Sequence, residues 1–273
     1  MYRTEEFENW LREREKSEKT VEKYVRDVKK FLPWCEGVLS KEKVLAYKEH
    51  LKKGYMPKSV NSMLSAVNSF LDFTGKRGCK VKLLKLQNQS FANSDKTLTK
   101  KEYERLVESA KKTGKLRLYY LLQTMCATGI RVSELRFITV EALKSGSCVI
   151  DLKGKIRPLF IPKKLSKALL SYCRAKKITS GSVFVTKNGK PLDRSNIWAE
   201  MKRLCKAAGV EPGKVFPHNL RHLFARCFYA ATKDIAKLSD ILGHSSINTT
   251  RIYVMDTGDT HRRQLERLGL LLC

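Results

Sequence analysis

The chain has 273 residues, 42% of them apolar and 30% charged, which suits a small folded domain followed by a larger one and excludes a disordered or fibrous polypeptide. No segment approaches the ~18 uninterrupted apolar residues of a membrane span, and no apolar run follows the charges at Met1–Glu6, so no secretory leader and a cytoplasmic address are expected. Lys and Arg number 55 against 27 acidic residues, a formal charge of +28, and an excess of that size calls for a polyanionic partner, nucleic acid ahead of a membrane surface.

The first elements read as helices. Residues 4–15 form a weak amphipathic candidate around Phe7, Trp10 and Leu11. Val21, Tyr24, Val25, Val28, Phe31 and Leu32 recur at three and four residues, one stripe of a helix that Pro33 is expected to stop. Ser40 to Lys53 reads as a helix ended by Gly54. Another opens at Ser59, with Val60, Met63, Leu64, Val67, Phe70 and Leu71 on one face and Asn61, Ser65, Asn68 and Asp72 on the other. This places an all-helical domain at residues 1–80, a basic linker at 81–96 and a larger domain at 97–273.

In that second domain Thr99 and Glu102 have capping-box spacing, so a helix begins at Lys100. Leu118 to Ala127 is apolar nearly all round, as a core helix is, and Gly129 is placed to end it. Ser147 to Leu152 and Arg157 to Ile161 read as two strands joined by a basic tip, Lys153-Gly154-Lys155-Ile156, with a brief third strand at Phe184 and Val185. Helices then follow near Asp193 to Ala208, His218 to Ala231, Ile235 to Leu242 and from Asn248 onward.

The eight cysteines, at 35, 79, 126, 148, 173, 205, 227 and 273, are scattered singly with no CxxC pair, which gives neither a zinc-site nor a disulfide pattern. Asp240, Asp256 and Asp259 lack the spacing of a two-metal nuclease. His218 and Arg221 lie three apart at a helix start, so they share a face, a pairing that suits a phosphate better than a core. Further on, His244 follows Gly243 in a turn, and Tyr253 follows within the next helix. Taken singly, each of these has an ordinary structural reading: a turn histidine, a helix-end arginine, a core tyrosine.

Taken in order, ATGIRVSEL (127–135), a basic β-hairpin, HNLRH (218–222) and LGHSSINTTRIY (242–253) resemble the tyrosine recombinase family of phage integrases and Xer-type enzymes. The resemblance implies a mainly α fold: an all-helical, SAM-like core-binding domain, then an α+β catalytic domain of the DNA breaking-rejoining type with a small antiparallel sheet. It also implies a tetramer closed around two specific recombination sites on double-stranded DNA. The site residues it designates are Arg131 and Arg221 on the phosphate, His218, His244 and Tyr253, and a hairpin lysine. The family hairpin reads GKGxKxR, and this one is one residue shorter; Lys153 keeps the Lys-Gly pair, with Lys155 as the alternative. His222 would buttress the site. The tail, Thr257 to Cys273, would dock its leucines on a neighbouring protomer.

The chemistry so implied needs no metal and no cofactor. Two guanidinium groups would neutralise the charge that builds on a pentacoordinate phosphorus. A phenol is almost wholly protonated at neutral pH, so Tyr253 would lose its proton with help from His218 while the lysine protonates the departing 5′ oxygen. Two rivals share parts of this pattern. A type IB topoisomerase-like enzyme uses the same chemistry to relax DNA, and a silent DNA-binding protein keeps only the fold.

Overall fold

The computed structural model describes residues 4–86, 97–152, 154–186, 188–254 and 266–267. The chain divides into two compact units, Met1–Asn88 and Gln89–Cys273. Among the described residues no helix is long and apolar enough to cross a membrane.

The first unit is four helices: α1 (Thr4–Glu13), α2 (Glu18–Trp34), α3 (Lys41–Gly54) and α4 (Pro57–Phe73). The apolar stripes meet in one core of Phe7, Leu11, Val21, Val28, Phe31, Val44, Leu51, Val60, Leu64 and Phe70, with Phe7 edge-on to Phe70 at 5.2 Å between ring centroids. Pro33 does not stop α2 before itself. It occupies the last turn, where the loss of one N–H costs least, and the Cys35 N–H still closes on the Phe31 carbonyl at 3.1 Å. Likewise α4 opens at Pro57 rather than Ser59, proline being tolerated at a first helical position.

Two polar residues seen on the outer face of α4 have a structural task. The Asn68 side chain accepts from the Val81 N–H and donates to the Val81 carbonyl at 3.0 and 2.9 Å, and Asn61 does the same for Leu84 at 2.7 and 2.9 Å. Each amide satisfies both backbone groups of one extended residue, as a neighbouring strand would. Segment 81–84, read from sequence as the start of a linker, is thereby tied along α4, with Val81 buried in the core of the unit.

The second unit contains α5 (Lys100–Lys112), α6 (Leu116–Thr128), α7 (Val140–Ser145), β1 (Ser147–Leu152), β2 (Lys155–Phe160), α8 (Lys163–Ala175), α9 (Arg194–Ala208), α10 (Pro217–Thr232), α11 (Ile235–Leu242) and α12 (Ile247–Val254). Helix α5 starts where the capping box predicts, with both reciprocal bonds between Thr99 and Glu102 present. Helix α6 carries Leu118, Leu121, Leu122 and Met125 into the core. It ends at Gly129, whose φ of +63° closes the C-cap; a Cβ there would meet Phe224 of α10 at 2.4 Å, so only glycine fits.

The sheet departs from expectation in two ways. Leu152 pairs with Lys155, so Lys155 and Ile156 belong to β2 rather than to a longer tip. Gly154, at φ +69°, supplies the positive dihedral that a tight hairpin turn demands. The brief third strand is not part of the sheet: Val185 forms an isolated bridge with Pro191, closing the Thr186–Lys190 turn. The tail from residue 255, apart from 266–267, lies outside the described residues, as do Lys153 and the side chain of Lys155.

Candidate active site

Helix α10 is the backbone of the site. Pro217 stands at its first position, which puts His218, Arg221 and His222 on its first turn and a half, with Leu220, Leu223 and Ala225 turned into apolar cores. Arg221 is only 1% exposed, the largest fully buried side chain described. Its guanidinium donates to the Gly129 carbonyl from Nη1 and to the Leu242 carbonyl from Nη2, both at 2.6 Å. These carbonyls stand at the C-terminal ends of α6, on its cap residue, and of α11, on its last residue, where acceptors have no partner inside their own helices. One arginine thus ties together α6, α10 and α11. Burial first, then the charge of Arg131, lowers its pKa to about 10, while the neighbouring Tyr253 phenol raises it.

The same Nη2 lies 2.9 Å from Nε2 of His244. A guanidinium can only donate, so Nε2 accepts; the ring proton is then on Nδ1, which donates to the buried Thr250 hydroxyl at 2.8 Å. His244 reaches this position because Gly243, at φ +62°, ends α11 in the left-handed conformation. A Cβ on Gly243 would meet the Arg157 side chain at 2.2 Å.

Tyr253, on α12, is 4% exposed and closes a small apolar cluster with Ala225, Leu238 and Leu242. Three imidazoles surround its ring: His222 edge-on at 4.3 Å, His244 stacked at 5.5 Å and His218 at 5.8 Å between centroids. His218, at the solvent edge, also meets His222 at 4.7 Å.

Arg131 follows α6 by way of Gly129 and is partly exposed. Its Nη1 donates to Glu134 Oε1 at 2.9 Å, and its backbone N–H to Oε2 at 2.9 Å. Glu134 is 3% exposed and also receives Arg157 Nη2 at 2.8 Å. Burial pushes this carboxyl up, but the Arg131 N–H and the two guanidinium charges more than offset it, leaving Glu134 below the usual carboxylate range. Glu134, Arg157 and Thr250 were not singled out from sequence; their only signal is that each lies inside a quoted motif.

Of the six expected site residues, His218, Arg221, His244 and Tyr253 cluster within a single unit, with Arg131 near enough for its charge to lower Arg221, His218 and His244. The lysine at 153 falls outside the described residues. The pocket is cationic around a set of neutral rings. Burial first, then neighbouring charges (His218, Arg226 and Arg221 for His222; Arg221, Arg131 and Arg157 for His244), lowers both histidines to about 4, and His218 is lowered by partial burial and by Arg221, Arg131 and Arg194.

A pH dependence follows. Above pH 6.5 these histidines are neutral folded or unfolded, and their contribution to stability is complete; between 6.5 and about 4 the unfolded chain takes up protons that folded His222 and His244 refuse, so stability falls as pH falls. Thermal melts from about pH 7.5 to about 4.5 are expected to show Tm dropping through this window, with the drop shallower in the His222→Gln/His244→Gln chain. An equal drop in both chains would contradict this assignment.

Comparison with known proteins identifies the family. The model of the phage integrase family matches residues 96–258, and that of the phage integrase N-terminal SAM-like domain matches residues 4–78. Tyrosine recombinase XerA of Thermococcus kodakarensis is 31% identical, covering 98% of this chain and 95% of its own; XerA of Pyrococcus furiosus is 29% identical, covering 98% and 94%. The crystal structure of a XerA recombinase superposes with a TM-score of 0.54 at 26% identity, covering 98% of both chains. A lambda integrase fragment, solved as a dimer bound to a COC′ core site, shares the fold with a TM-score of 0.71 at 18% identity over 93% of this chain and 94% of its own. With more than half of its residues matched by the family model and near full-length relatives besides, the chain belongs to the phage integrase family of tyrosine recombinases.

Proposed function

We propose that the chain is a site-specific DNA recombinase that cuts and rejoins strands through a phosphotyrosine at Tyr253. The observation that carries this is the buried phenol ringed by three histidines and a fixed guanidinium, with a second guanidinium on a carboxylate at the pocket. The phenolic oxygen bonds to phosphorus, the bond from phosphorus to the 5′ oxygen breaks, and DNA is left with a 3′ phosphate on the protein and a 5′ hydroxyl. His218, neutral and beside the ring, takes the phenolic proton. The hairpin lysine, Lys153 or Lys155, gives a proton to the 5′ oxygen. Arg131 and Arg221 hold the nonbridging oxygens in a water-poor pocket, where fixed donors are worth most.

His244 enters this scheme with a change of role. In the free protein its Nε2 accepts from Arg221, yet a phosphate oxygen requires a donor. Burial lowers this imidazole first and the surrounding cations lower it further; an anion among them offsets their part, so DNA binding favours its protonation and turns Nε2 outward to the phosphate as a donor.

Attack on the phosphotyrosine by a 5′ hydroxyl of a second duplex reverses the step without ATP, because the linkage keeps the energy of the bond it replaced. Exchange between two duplexes calls for four active subunits, a homotetramer on paired sites, acting where the chromosome lies, in the cytoplasm. The charge of +28 supports DNA as the partner.

A nicked duplex carrying a binding site selected from random DNA by the protein itself should trap a denaturation-resistant adduct. A plasmid lacking that site should keep its supercoils. Rapid relaxation of that plasmid would favour the topoisomerase reading, and binding without adduct the silent DNA-binding one.

A further inference from the structure

Arg157 is a charged residue in the middle of a β-strand, paired across the sheet with Ile150 and 8% exposed. A cation in that position is costly unless its donors are matched. Both terminal nitrogens are matched: Nη2 donates to Glu134 Oε2 at 2.8 Å and Nη1 to the Ile241 carbonyl at 2.8 Å, while Nε, buried without a hydrogen-bond partner, and the aliphatic stem lie against Gly243, where any side chain would collide with them.

The consequence concerns the hairpin. Val149, Ile156 and Phe160 on its outer face are exposed, so β1 and β2 are held through inward residues, chiefly Ile150, Leu159 and Arg157. Apolar contacts are non-directional and resist sliding weakly. A guanidinium fork that spans two fixed acceptors sets position as well as attraction. One acceptor is the carboxylate that also holds Arg131, and the other belongs to the last turn of α11, just before His244.

We propose that Arg157 is a positioning residue that fixes the place of the leaving-group acid, by locking the hairpin that carries it onto Glu134 and onto the end of α11. This rests on the recombinase reading. Arg157 gives no proton; it holds β2 in one register against Arg131 and Arg221.

The test compares single-turnover cleavage of two nicked duplexes, one ordinary and one with a 5′-bridging sulfur at the scissile phosphate, whose departure needs no acid. Arg157→Gln and Arg157→Lys are expected to cleave the ordinary duplex about tenfold to a hundredfold more slowly, the cost of a misplaced group, and the sulfur duplex at close to the unaltered rate. Lysine keeps a cation beside Glu134 but cannot span both acceptors, so it should restore thermal stability and leave the ordinary duplex slow. Equal slowing on both duplexes, no slowing on either, or loss of the melting transition in both variants would overturn the proposal. An adduct formed by Tyr253→Phe in the same assay would instead overturn the reading beneath it.

Discussion

Arg131→Ala and Arg221→Ala are both expected to cut strand cleavage about a hundredfold or more, the scale of losing one fixed donor to a transition state, but to differ sharply in what else they lose. Arg131 is partly exposed and ends on Glu134, which keeps Arg157 when Arg131 is gone. Its removal should cost on the order of 1 kcal/mol of stability and leave the DNA-binding midpoint nearly unchanged. Arg221 is 1% exposed and satisfies the terminal carbonyls of two helices as well as His244. Truncating it strands buried acceptors and opens a cavity, for a loss of roughly 3 kcal/mol or more. Paired measurements of cleavage rate and Tm check this. Equal stability losses in the two variants would contradict the division between a phosphate ligand and a ligand that is also a keystone.

Tyr253→Phe should abolish the covalent adduct altogether while leaving the fold in place. The ring packs against Ala225, Leu238, Leu242 and three imidazoles, contacts that phenylalanine repeats atom for atom apart from the hydroxyl. Removing the hydroxyl leaves Arg221 Nη1 and Nη2 on their carbonyl partners. Stability should therefore change by about 1 kcal/mol or less, and DNA binding should persist. Because the phenol packs among residues of its own chain, mixing Tyr253→Phe with Arg131→Ala should not restore cleavage; restored activity would mean that the tyrosine is delivered to a partner's site.

Much of this architecture can be read from the chain where local chemistry is self-sufficient. Thr99 and Glu102 announce α5 because the capping box needs nothing beyond residues three apart, and Gly129 and Gly243 announce helix ends because the left-handed conformation is nearly theirs alone. Helix α8 went unread for the converse reason: its stripe of Leu165, Leu169, Tyr172 and Cys173 is present, but Pro162 before it offers no side-chain cap. The hairpin turn was read too long, since Lys155 and Ile156 look like a polar tip until the register with Asp151 and Leu152 is known. For the candidate site, the order of motifs names Arg131, His218, Arg221, His244 and Tyr253. It does not reveal Glu134 and Arg157 as a buried pair, because their partners lie 23 and 84 positions away and any charged residue reads first as surface. Asn61 and Asn68 are a similar case: two turns apart on a polar face, they bind backbone that only the fold brings alongside.

The most direct test identifies the linking atom. Adduct trapped on the nicked duplex should be digested with protease and nuclease and the modified peptide sequenced by mass spectrometry. The expected product is the peptide containing Tyr253, esterified through its phenolic oxygen to a 3′ nucleotide. A nucleotide attached to any other residue, or DNA cut with a free 3′ phosphate and no attached peptide, would contradict the central claim.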